Sequence, residues 1–312
     1  MENKAAAATI IAKISRSFIR FPHVQYLLKR MQEILEREWV NEEADSLFLP
    51  GESGVGKSTL LTKFCNMYPP IVHDEFTEIP VLYARVPAQG TPLSLAGAML
   101  LEMGSPFWNV GKIEDRRYQL VCLIRKCKVR LIILDEVNHV TDKNGSKTHH
   151  YTGDWLKELF EELKIPVVLA GTPSSDRLLH TNKQLRTRFR EIIPIMQFSL
   201  TNKSAQDECE KMMKTFSNMI TGVSKVDITQ GPLLSSMIFA TAGQLRDIRR
   251  LLVKTVVLAF EHSPPKITVP ILAQAFRQAI YRGAPDKRNP FCKEFDGIPL
   301  IKPGEPFAPE EK

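Results

Sequence analysis

The chain has 312 residues, 43% of them apolar, and its 42 lysines and arginines exceed its 35 acidic residues by seven. A chain of this length and composition can bury a large core, which excludes a disordered or fibrous protein. The positive charge permits a phosphate-rich partner without establishing one. The five cysteines form neither a C-x-x-C pair nor a Cys/His cluster, so we expect no zinc site and a reducing, cytoplasmic compartment. The apolar stretch at 5–12 is too short to span a membrane, and no membrane partner is expected.

Periodicity divides the chain into four predicted segments. Apolar residues at helical spacing predict an N-terminal helical segment over residues 1–45. Short apolar runs then alternate with helical patterns, which predicts an α/β domain over 46–200 with a parallel sheet and helices on both faces. The strands are expected at 46–50, 79–86, 129–134, 165–170 and 192–198.

The strand signal stops after about residue 200. Four helical patterns predict a small all-helical domain over 201–282, with helices at 203–220, 231–241, 243–262 and 268–282. Six prolines then follow within residues 283–312, and we predict an extended proline-rich tail there, because proline cannot continue a helix.

A phosphate-binding loop is the strongest motif of the chain. The segment 51–58 reads GESGVGKS and fits G-x-x-x-x-G-K-[ST] between a predicted strand and a predicted helix. Glycines let the backbone N–H groups surround phosphates, Lys57 reaches the β and γ oxygens, and the Ser58 hydroxyl is a ligand for Mg²⁺. The residues expected to bind ATP are Gly51, Glu52, Ser53, Gly54, Val55, Gly56, Lys57, Ser58 and Thr59.

Two acids follow a predicted buried strand at 129–134. Asp135 is expected to hold Mg²⁺ beside Ser58, and Glu136 to polarise the water that attacks the γ-phosphate, so the pair indicates a hydrolase rather than a kinase. Because 78 positions separate Lys57 from Asp135, at least one strand, near 79–86, must lie between the two motifs. That spacing is typical of the additional-strand P-loop ATPases.

Further candidates come from later segments. Thr172 ends the next predicted strand, where it is placed either to contact the γ-phosphate or attacking water or to cap the following helix. Three arginines, Arg186, Arg188 and Arg190, alternate before the fifth strand. They either form a solvated face or supply an arginine that contacts the γ-phosphate bound by a neighbouring subunit. For the second role we favour Arg188 over Arg190. Arg246, in the helical domain, either reaches back over the phosphates or belongs to a basic helix face.

The order of these motifs resembles an AAA+ ATPase over about residues 20–282. Three stretches narrow the resemblance to the TniB/TnsC family of transposition regulators: 131–139 (LIILDEVNH), 155–172 with its IPVVLAGT ending, and 182–189 (NKQLRTRF). The resemblance implies an ATP-dependent homo-oligomer, a ring or helical filament, that assembles on double-stranded DNA. It also implies recruitment of a transposase to a target selector such as a TniQ-like protein, with ATP hydrolysis driving disassembly.

The positive charge is clustered in two parts of the chain. Residues 111–150 hold nine lysines and arginines against five acids, and residues 240–295 hold ten against four. In a ring or filament, the loops before the Asp135 strand are expected to face DNA and to contact its phosphates without reading sequence. The candidate DNA contacts are Lys112, Arg116, Arg117, Lys143 and Lys147, although each is also compatible with a solvated helix face.

Two alternatives keep the fold and change the function. The first is a replication initiator or helicase loader, which would bind a helicase rather than a transposase. The second is a scaffold NTPase that binds nucleotide as a switch with little turnover. For that second alternative the role assigned to Glu136 would be wrong.

Overall fold

The computed structural model of the chain describes residues 2–37, 44–142, 146–181 and 183–308. None of its described helices is long and apolar enough to cross a membrane. The strands are β1 Leu47–Pro50, β2 Ile71–Val72, β3 Thr77–Glu78, β4 Val81–Arg85, β5 Leu131–Asp135, β6 Val167–Gly171, β7 Glu191–Ile192, β8 Ser224–Lys225 and β9 Lys266–Ile267. The helices are α1 Glu2–Arg16, α2 Pro22–Glu36, α3 Lys57–Cys65, α4 Pro92–Glu102, α5 Ile113–Lys126, α6 Asn138–Asp142, α7 Ser146–Leu163, α8 Asp176–Thr181, α9 Lys183–Arg188, α10 Lys203–Met219, α11 Gly231–Thr241, α12 Leu245–Ala259 and α13 Val269–Ala279.

Contacts divide the chain into two compact units. The sheet unit comprises Pro22–Met196, and the helical unit comprises Met1–Phe21 together with Gln197–Lys312. This division differs from the predicted N-terminal segment 1–45, because α1 belongs to the helical unit and α2 to the sheet unit. The sequence pattern identified both helices but could not indicate that they pack in different units.

The sheet unit contains a five-stranded sheet in the order β4-β5-β6-β1-β7, and its paired strands are parallel. Every residue of β5 and β6 is buried, because helices cover both faces of the sheet, as predicted. β6 lies between β1, which precedes the phosphate loop, and β5, which ends at Asp135. β4, the strand predicted between the two motifs in sequence, pairs with β5 at the end of the strand order.

Register brings the carboxyl ends of three strands to one edge of the sheet. Pro50 of β1 pairs with Gly171 of β6, and Leu134 of β5 pairs with Leu169 of β6. The residues that follow these ends are the phosphate loop, Glu136 and Thr172. Parallel strands therefore collect the predicted site residues at one edge, where α/β proteins bind their ligands.

The fifth strand is shorter than predicted, since β7 covers 191–192 instead of 192–198. The chain nevertheless continues along β1, where the N–H groups of Ile193 and Ile195 donate to Phe48 O at 2.9 Å and to Pro50 O at 2.8 Å. Pro194, between them, has no N–H to donate. The predicted strand therefore consists of the short strand β7 and an irregular segment that continues its hydrogen bonding to β1.

The helical unit contains the four predicted helices as α10 to α13. α12 packs against α1, α11 and α13, and α1 also packs against α10. Buried Ile10 and Ile14 supply the apolar side of α1. The N-terminal helix is therefore part of the core of this unit.

The proline-rich segment 283–308 folds onto the helical unit, and the prediction of an extended tail is wrong for these residues. Arg288 is buried and donates to both carboxylate oxygens of Glu305, to Asp296 Oδ1 at 2.8 Å and to two backbone carbonyl oxygens. Buried Asn289 donates to Ala273 O at 3.1 Å. The described part of this segment forms one short 3-10 helix, Asp286–Arg288, and no α-helix, and a buried arginine with several acceptors organises it.

Candidate active site

The phosphate loop connects β1 to α3 in the conformation that its glycines allow. Gly54 has φ 82° and Gly56 has φ 106°, values that residues with a Cβ rarely adopt. Gly56 is the N-cap of α3, which begins at Lys57. The free N–H groups at the start of this helix are therefore directed toward the position where phosphate binds in such loops.

Lys57 lies folded over this loop. Its Nζ donates to Gly51 O at 2.6 Å and to Glu52 O at 3.0 Å, and 6% of the residue is exposed. Burial lowers the pKa of Lys57, and the negative charges of Glu136, Asp135 and Glu52 oppose that shift. The two acids after β5 are thus close enough to Lys57 to act on its charge, although β6 separates their strands.

Asp135 is fully buried at the end of β5. Its Oδ1 accepts the N–H of Glu136 at 2.9 Å, and Glu136 is half-buried with φ 59°, in the left-handed region that non-glycine residues seldom occupy. Such backbone strain is concentrated at functional sites. The two acids thus differ in environment, since Asp135 is fully buried and accepts hydrogen bonds from Tyr83 and the Glu136 N–H, whereas Glu136 is half-buried.

Tyr83 and Arg85 are site residues that the sequence analysis missed. The Tyr83 hydroxyl donates to Asp135 Oδ2 at 3.0 Å, and Arg85 Nε donates to the Tyr83 oxygen at 3.1 Å. Burial raises the pKa of Tyr83 to about 12, so the hydroxyl keeps its proton. The register of β4 against β5, which pairs Arg85 with Asp135, creates this chain of contacts. A polar pair at alternate positions of an edge strand was the signal in the sequence.

Thr172 lies immediately after β6 at the same edge of the sheet. It is the N-cap of a short 3-10 helix, but its side chain makes no cap hydrogen bond, and its Oγ1 lies 2.8 Å from Ser174 Oγ. Thr172 therefore occupies the N-cap position of this helix, but its side chain does not cap a backbone N–H group. A contact of this hydroxyl with a γ-phosphate or water remains a prediction, and it would add to or replace the contact with Ser174.

β1 and β6 approach closely where the loop begins. Gly51 N donates to Gly171 O at 3.0 Å. A Cβ on Gly171 would lie 2.4 Å from Ser175 Oγ and 2.8 Å from Val137 Cγ2, and a Cβ on Gly51 would lie 2.7 Å from Ile195 O. Both glycines are needed for this close packing beneath the candidate site.

The structure argues against Arg188 as the arginine delivered to a neighbouring subunit. Its guanidinium is buried within the sheet unit and donates to Ser46 Oγ at 3.3 Å, Phe160 O at 3.1 Å and Ile165 O at 2.6 Å. It also lies 5.5 Å from the centroid of the Phe160 ring. These contacts make Arg188 a residue that joins α7, the segment before β6 and the segment before β1, and they occupy the group that our preference for Arg188 over Arg190 required to be free for a neighbour.

The other candidate arginines are exposed. Arg186 and Arg190 are both exposed, and Arg190 Nε donates to Thr187 O at 2.9 Å, which holds the side chain at the end of α9. Arg246 is exposed in the helical unit, where it contacts Gln244 and Asp247. A role for Arg246 over the phosphates is therefore still a prediction.

The candidate DNA contacts differ in what they already bind. Arg116 donates to three backbone carbonyls, of Leu93, Asn109 and Val110. Arg117 pairs with Glu158 at 2.6 Å and with Glu162 at 3.0 Å. Lys112 is fully exposed at the N-cap of α5 and stays the best of the three candidates. Lys143 and the side chain of Lys147 lie outside the described residues.

Comparison with known families places these observations in context. The family described as Bacterial TniB protein matches residues 10–198. The chain belongs to the TniB family. This TniB-family protein is also similar to the ORC1-type DNA replication protein 1 of Sulfurisphaera tokodaii, with 27% identity over 127 residues. That match spans 40% of the chain and 31% of the relative.

Solved structures share the fold. Cdc6p from Pyrobaculum aerophilum matches with a TM-score of 0.64 and 15% identity, covering 88% of this chain and 72% of its own. The Aeropyrum pernix ORC1 protein, solved in complex with DNA, matches with a TM-score of 0.59 and 14% identity, covering 84% of this chain and 66% of its own. The TniB-family protein therefore has an AAA+ ATPase fold, a parallel five-stranded sheet with helices followed by a helical region.

Proposed function

We propose that this protein is an ATP-hydrolysing regulator of DNA transposition that assembles on duplex DNA. The observation that carries the proposal is that the register of β1, β6 and β5 brings the phosphate loop and the acids Asp135 and Glu136 to the same edge of the sheet, in a chain of the TniB family. The lysine and loop N–H groups bind phosphate, and Glu136 orients water for attack on the γ-phosphate. ATP hydrolysis then drives disassembly of the oligomer.

The donor set of the site fits Mg²⁺. This ion prefers oxygen ligands, and Asp135 and Ser58 supply a carboxylate and a hydroxyl from the two motifs. Each Asp135 oxygen that accepts a hydrogen bond keeps a further lone pair for a metal. The bound ion would neutralise charge on the phosphates, while Tyr83 and the Glu136 N–H hold the Asp135 carboxylate in place.

Assembly requires an arginine that one subunit offers to the nucleotide of the next. Arg188 is occupied within its own subunit, so we assign this role to the exposed Arg190, with Arg186 as the neighbouring candidate. A fixed positive charge there would stabilise the transition state and couple nucleotide binding to oligomerisation. Double-stranded DNA, a transposase and a TniQ-like target selector are the partners that this proposal names.

The test combines two variants with duplex DNA. Lys57→Ala is expected to abolish nucleotide binding and assembly, whereas Glu136→Gln is expected to bind ATP, assemble on DNA and turn over slowly. Sedimentation and electron microscopy measure assembly, and phosphate release measures turnover. A wild-type protein that stays monomeric with ATP and duplex DNA present contradicts the proposal. Unchanged turnover in Glu136→Gln favours the nucleotide-switched scaffold instead.

A replication initiator or helicase loader is the second candidate, and the likeness to Cdc6p and ORC1 folds supports it. The partner separates the two functions. A transposition regulator stimulates strand transfer by its transposase on a target duplex, while a loader increases the amount of replicative helicase bound to DNA. Measuring both with the same preparation decides between them.

A further inference from the structure

The helical unit carries positive side chains on two helices that pack together. Lys13 and Arg16 are exposed on α1, and Arg20 is exposed just beyond it. On α12, Arg246 and Arg250 are exposed and Lys254 is half-buried, each four residues from the last. Four residues advance a helix by about 6 Å, so these three side chains form one stripe. The opposite face of α12 is buried, with Ile248, Leu251, Leu252 and Thr255.

One hydrogen bond fixes the two groups of cations beside each other. Arg249 Nη2 donates to Ser17 O at 2.5 Å, joining α12 to the end of α1 next to Arg16. Burial lowers the pKa of Arg249, and its buried Nε has no hydrogen-bond partner within the described residues. The guanidinium of Arg249 is therefore a further positive charge between the cations of α1 and those of α12. We call Lys13, Arg16, Arg250 and Lys254, which lie around this contact, the basic face.

The basic face lacks the acidic partners that two lysines of this unit have. Lys203 and Lys214 on α10 each lie within 4.0 Å of a carboxylate four residues away, at 3.3 and 3.6 Å. In contrast, none of the four cations of the basic face forms an ion pair with any residue that the structure describes. Like charges four residues apart, such as Arg250 and Lys254, destabilise a helix. An anion bound from outside the chain would relieve this repulsion.

We propose that the basic face binds the phosphates of duplex DNA, an inference that rests on the proposed function. Its two cations on α12, Arg250 and Lys254, lie about 6 Å apart along the helix, and a duplex carries about three to four phosphates over such a length. Protein partners are usually anchored by exposed aromatic side chains. The exposed aromatic residues of the described chain all lie in the sheet unit: Tyr26, Phe107, Trp108, Tyr118 and Tyr151. A cationic face without such anchors suits a backbone of phosphates.

The test is the salt dependence of duplex binding. The full chain with ATP is titrated with a fluorescent duplex at several salt concentrations, as wild type and as the triple variant Arg16→Gln, Arg250→Gln, Lys254→Gln. Losing three phosphate contacts is expected to reduce the slope of log K against log salt by about 2.7. The matched control neutralises three exposed cations elsewhere in this unit: Lys266→Gln, Arg282→Gln and Lys287→Gln.

The outcomes separate this inference from the proposed function. A reduced slope in the Arg16 triple variant and an unchanged slope in the control support the basic face, provided that both variants bind ATP as the wild type does. If the Arg16 triple variant keeps the wild-type slope, or if both variants lose slope equally, the basic face is not the DNA contact. If the wild type itself binds no duplex with ATP, the proposed function fails and the inference fails with it.

Discussion

Tyr83 and Asp135 share a hydrogen bond of 3.0 Å between the phenol oxygen and Oδ2, although 52 residues separate them in sequence. Tyr83 is thereby a positioning residue for the carboxylate that would bind Mg²⁺. Tyr83→Phe keeps the ring and removes the donor. We expect a loss of about 1 kcal/mol in transition-state stabilisation, equivalent to a roughly fivefold lower kcat. Phosphate release under saturating ATP measures it, with ATP affinity unchanged.

The control for this prediction is Tyr118→Phe, which changes a tyrosine that is 75% exposed in the same unit. A second readout is alkaline stability. The pKa of Tyr83 is raised from 10.0 to about 12, so the neutral phenol stabilises the fold below pH 10, and this contribution disappears as the pH rises toward 12. Tyr83→Phe should flatten that part of the stability curve. If wild type and Tyr83→Phe lose stability equally between pH 10 and 12, the buried environment assigned to Tyr83 is wrong.

Arg188 and Arg190 should behave differently when each is replaced by alanine. Arg188→Ala leaves two carbonyl oxygens and the Ser46 hydroxyl without their buried donor, so we expect about 3 kcal/mol of lost stability. Arg190→Ala should leave the free energy of unfolding within about 0.5 kcal/mol of wild type. It should nevertheless reduce DNA-dependent ATP turnover.

Mixing subunits sharpens the comparison between these arginines. An Arg190→Ala subunit mixed with a Glu136→Gln subunit should recover turnover, because each supplies the group that the other lacks at a shared interface. Urea denaturation of each variant gives the stability values. A stable Arg188→Ala protein that fails only in assembly would restore Arg188 to the interface.

Local patterns were sufficient for the strands, the phosphate loop and the acidic pair. In these segments the motif and its flanking elements are contiguous, so the positions of Lys57, Asp135 and Glu136 at the ends of their elements could be predicted from spacing alone. Tyr83 could not, since its role depends on the register of β4 against β5. The burial of Arg188 could not be predicted either, because an arginine that binds carbonyls inside the fold and one that faces a neighbour have the same sequence pattern.

The tail illustrates a second limit of sequence patterns. Prolines correctly excluded a helix over 283–308, but they do not report tertiary contacts. Arg288, Asp296 and Glu305 are far enough apart in sequence that their cluster is not visible as a motif. The split of α1 and α2 between units was invisible for the same reason, because amphipathic helices do not encode which surface they cover.

Gly171 and Gly153 form a matched pair for testing the packing beneath the site. A Cβ on Gly171 would meet Ser175 Oγ at 2.4 Å, whereas a Cβ on Gly153, inside α7, would meet Leu178 Cδ1 at 3.6 Å, an ordinary van der Waals distance. Gly153→Ala should stabilise the protein by up to about 1 kcal/mol, because alanine favours helix. Gly171→Ala should destabilise it by about 1–3 kcal/mol through overpacking and weaken nucleotide binding. Thermal unfolding with and without ATP measures both effects, and equal changes in the two variants would refute the packing argument.

Acid should destabilise the helical unit through the contacts of Arg288. The hydrogen bonds of Arg288 to Glu305 lower the pKa of Glu305 from 4.5, and the Ile298 N–H and the charge of Arg288 lower the pKa of Asp296 from 3.8. A lowered pKa contributes stability that is present above the unfolded value and is lost as the pH falls below it. Stability should therefore decline below about pH 4.5, and Arg288→Met should reduce that decline.

The Arg288 variant also tests whether the tail is part of the helical unit. Arg288→Met leaves the Glu305 carboxylate without its buried partner, so at neutral pH we expect a clear loss of stability in the helical unit alone. Truncation after Gly283 should have a larger effect, because it also uncovers Phe276, which packs against Phe291 with ring centroids 6.4 Å apart. Hydrogen exchange, measured separately for α13 and for the sheet unit, shows which unit each variant destabilises. Faster exchange in α13 with an unchanged sheet unit is expected, and unchanged exchange in α13 would mean that the tail is dispensable for the fold.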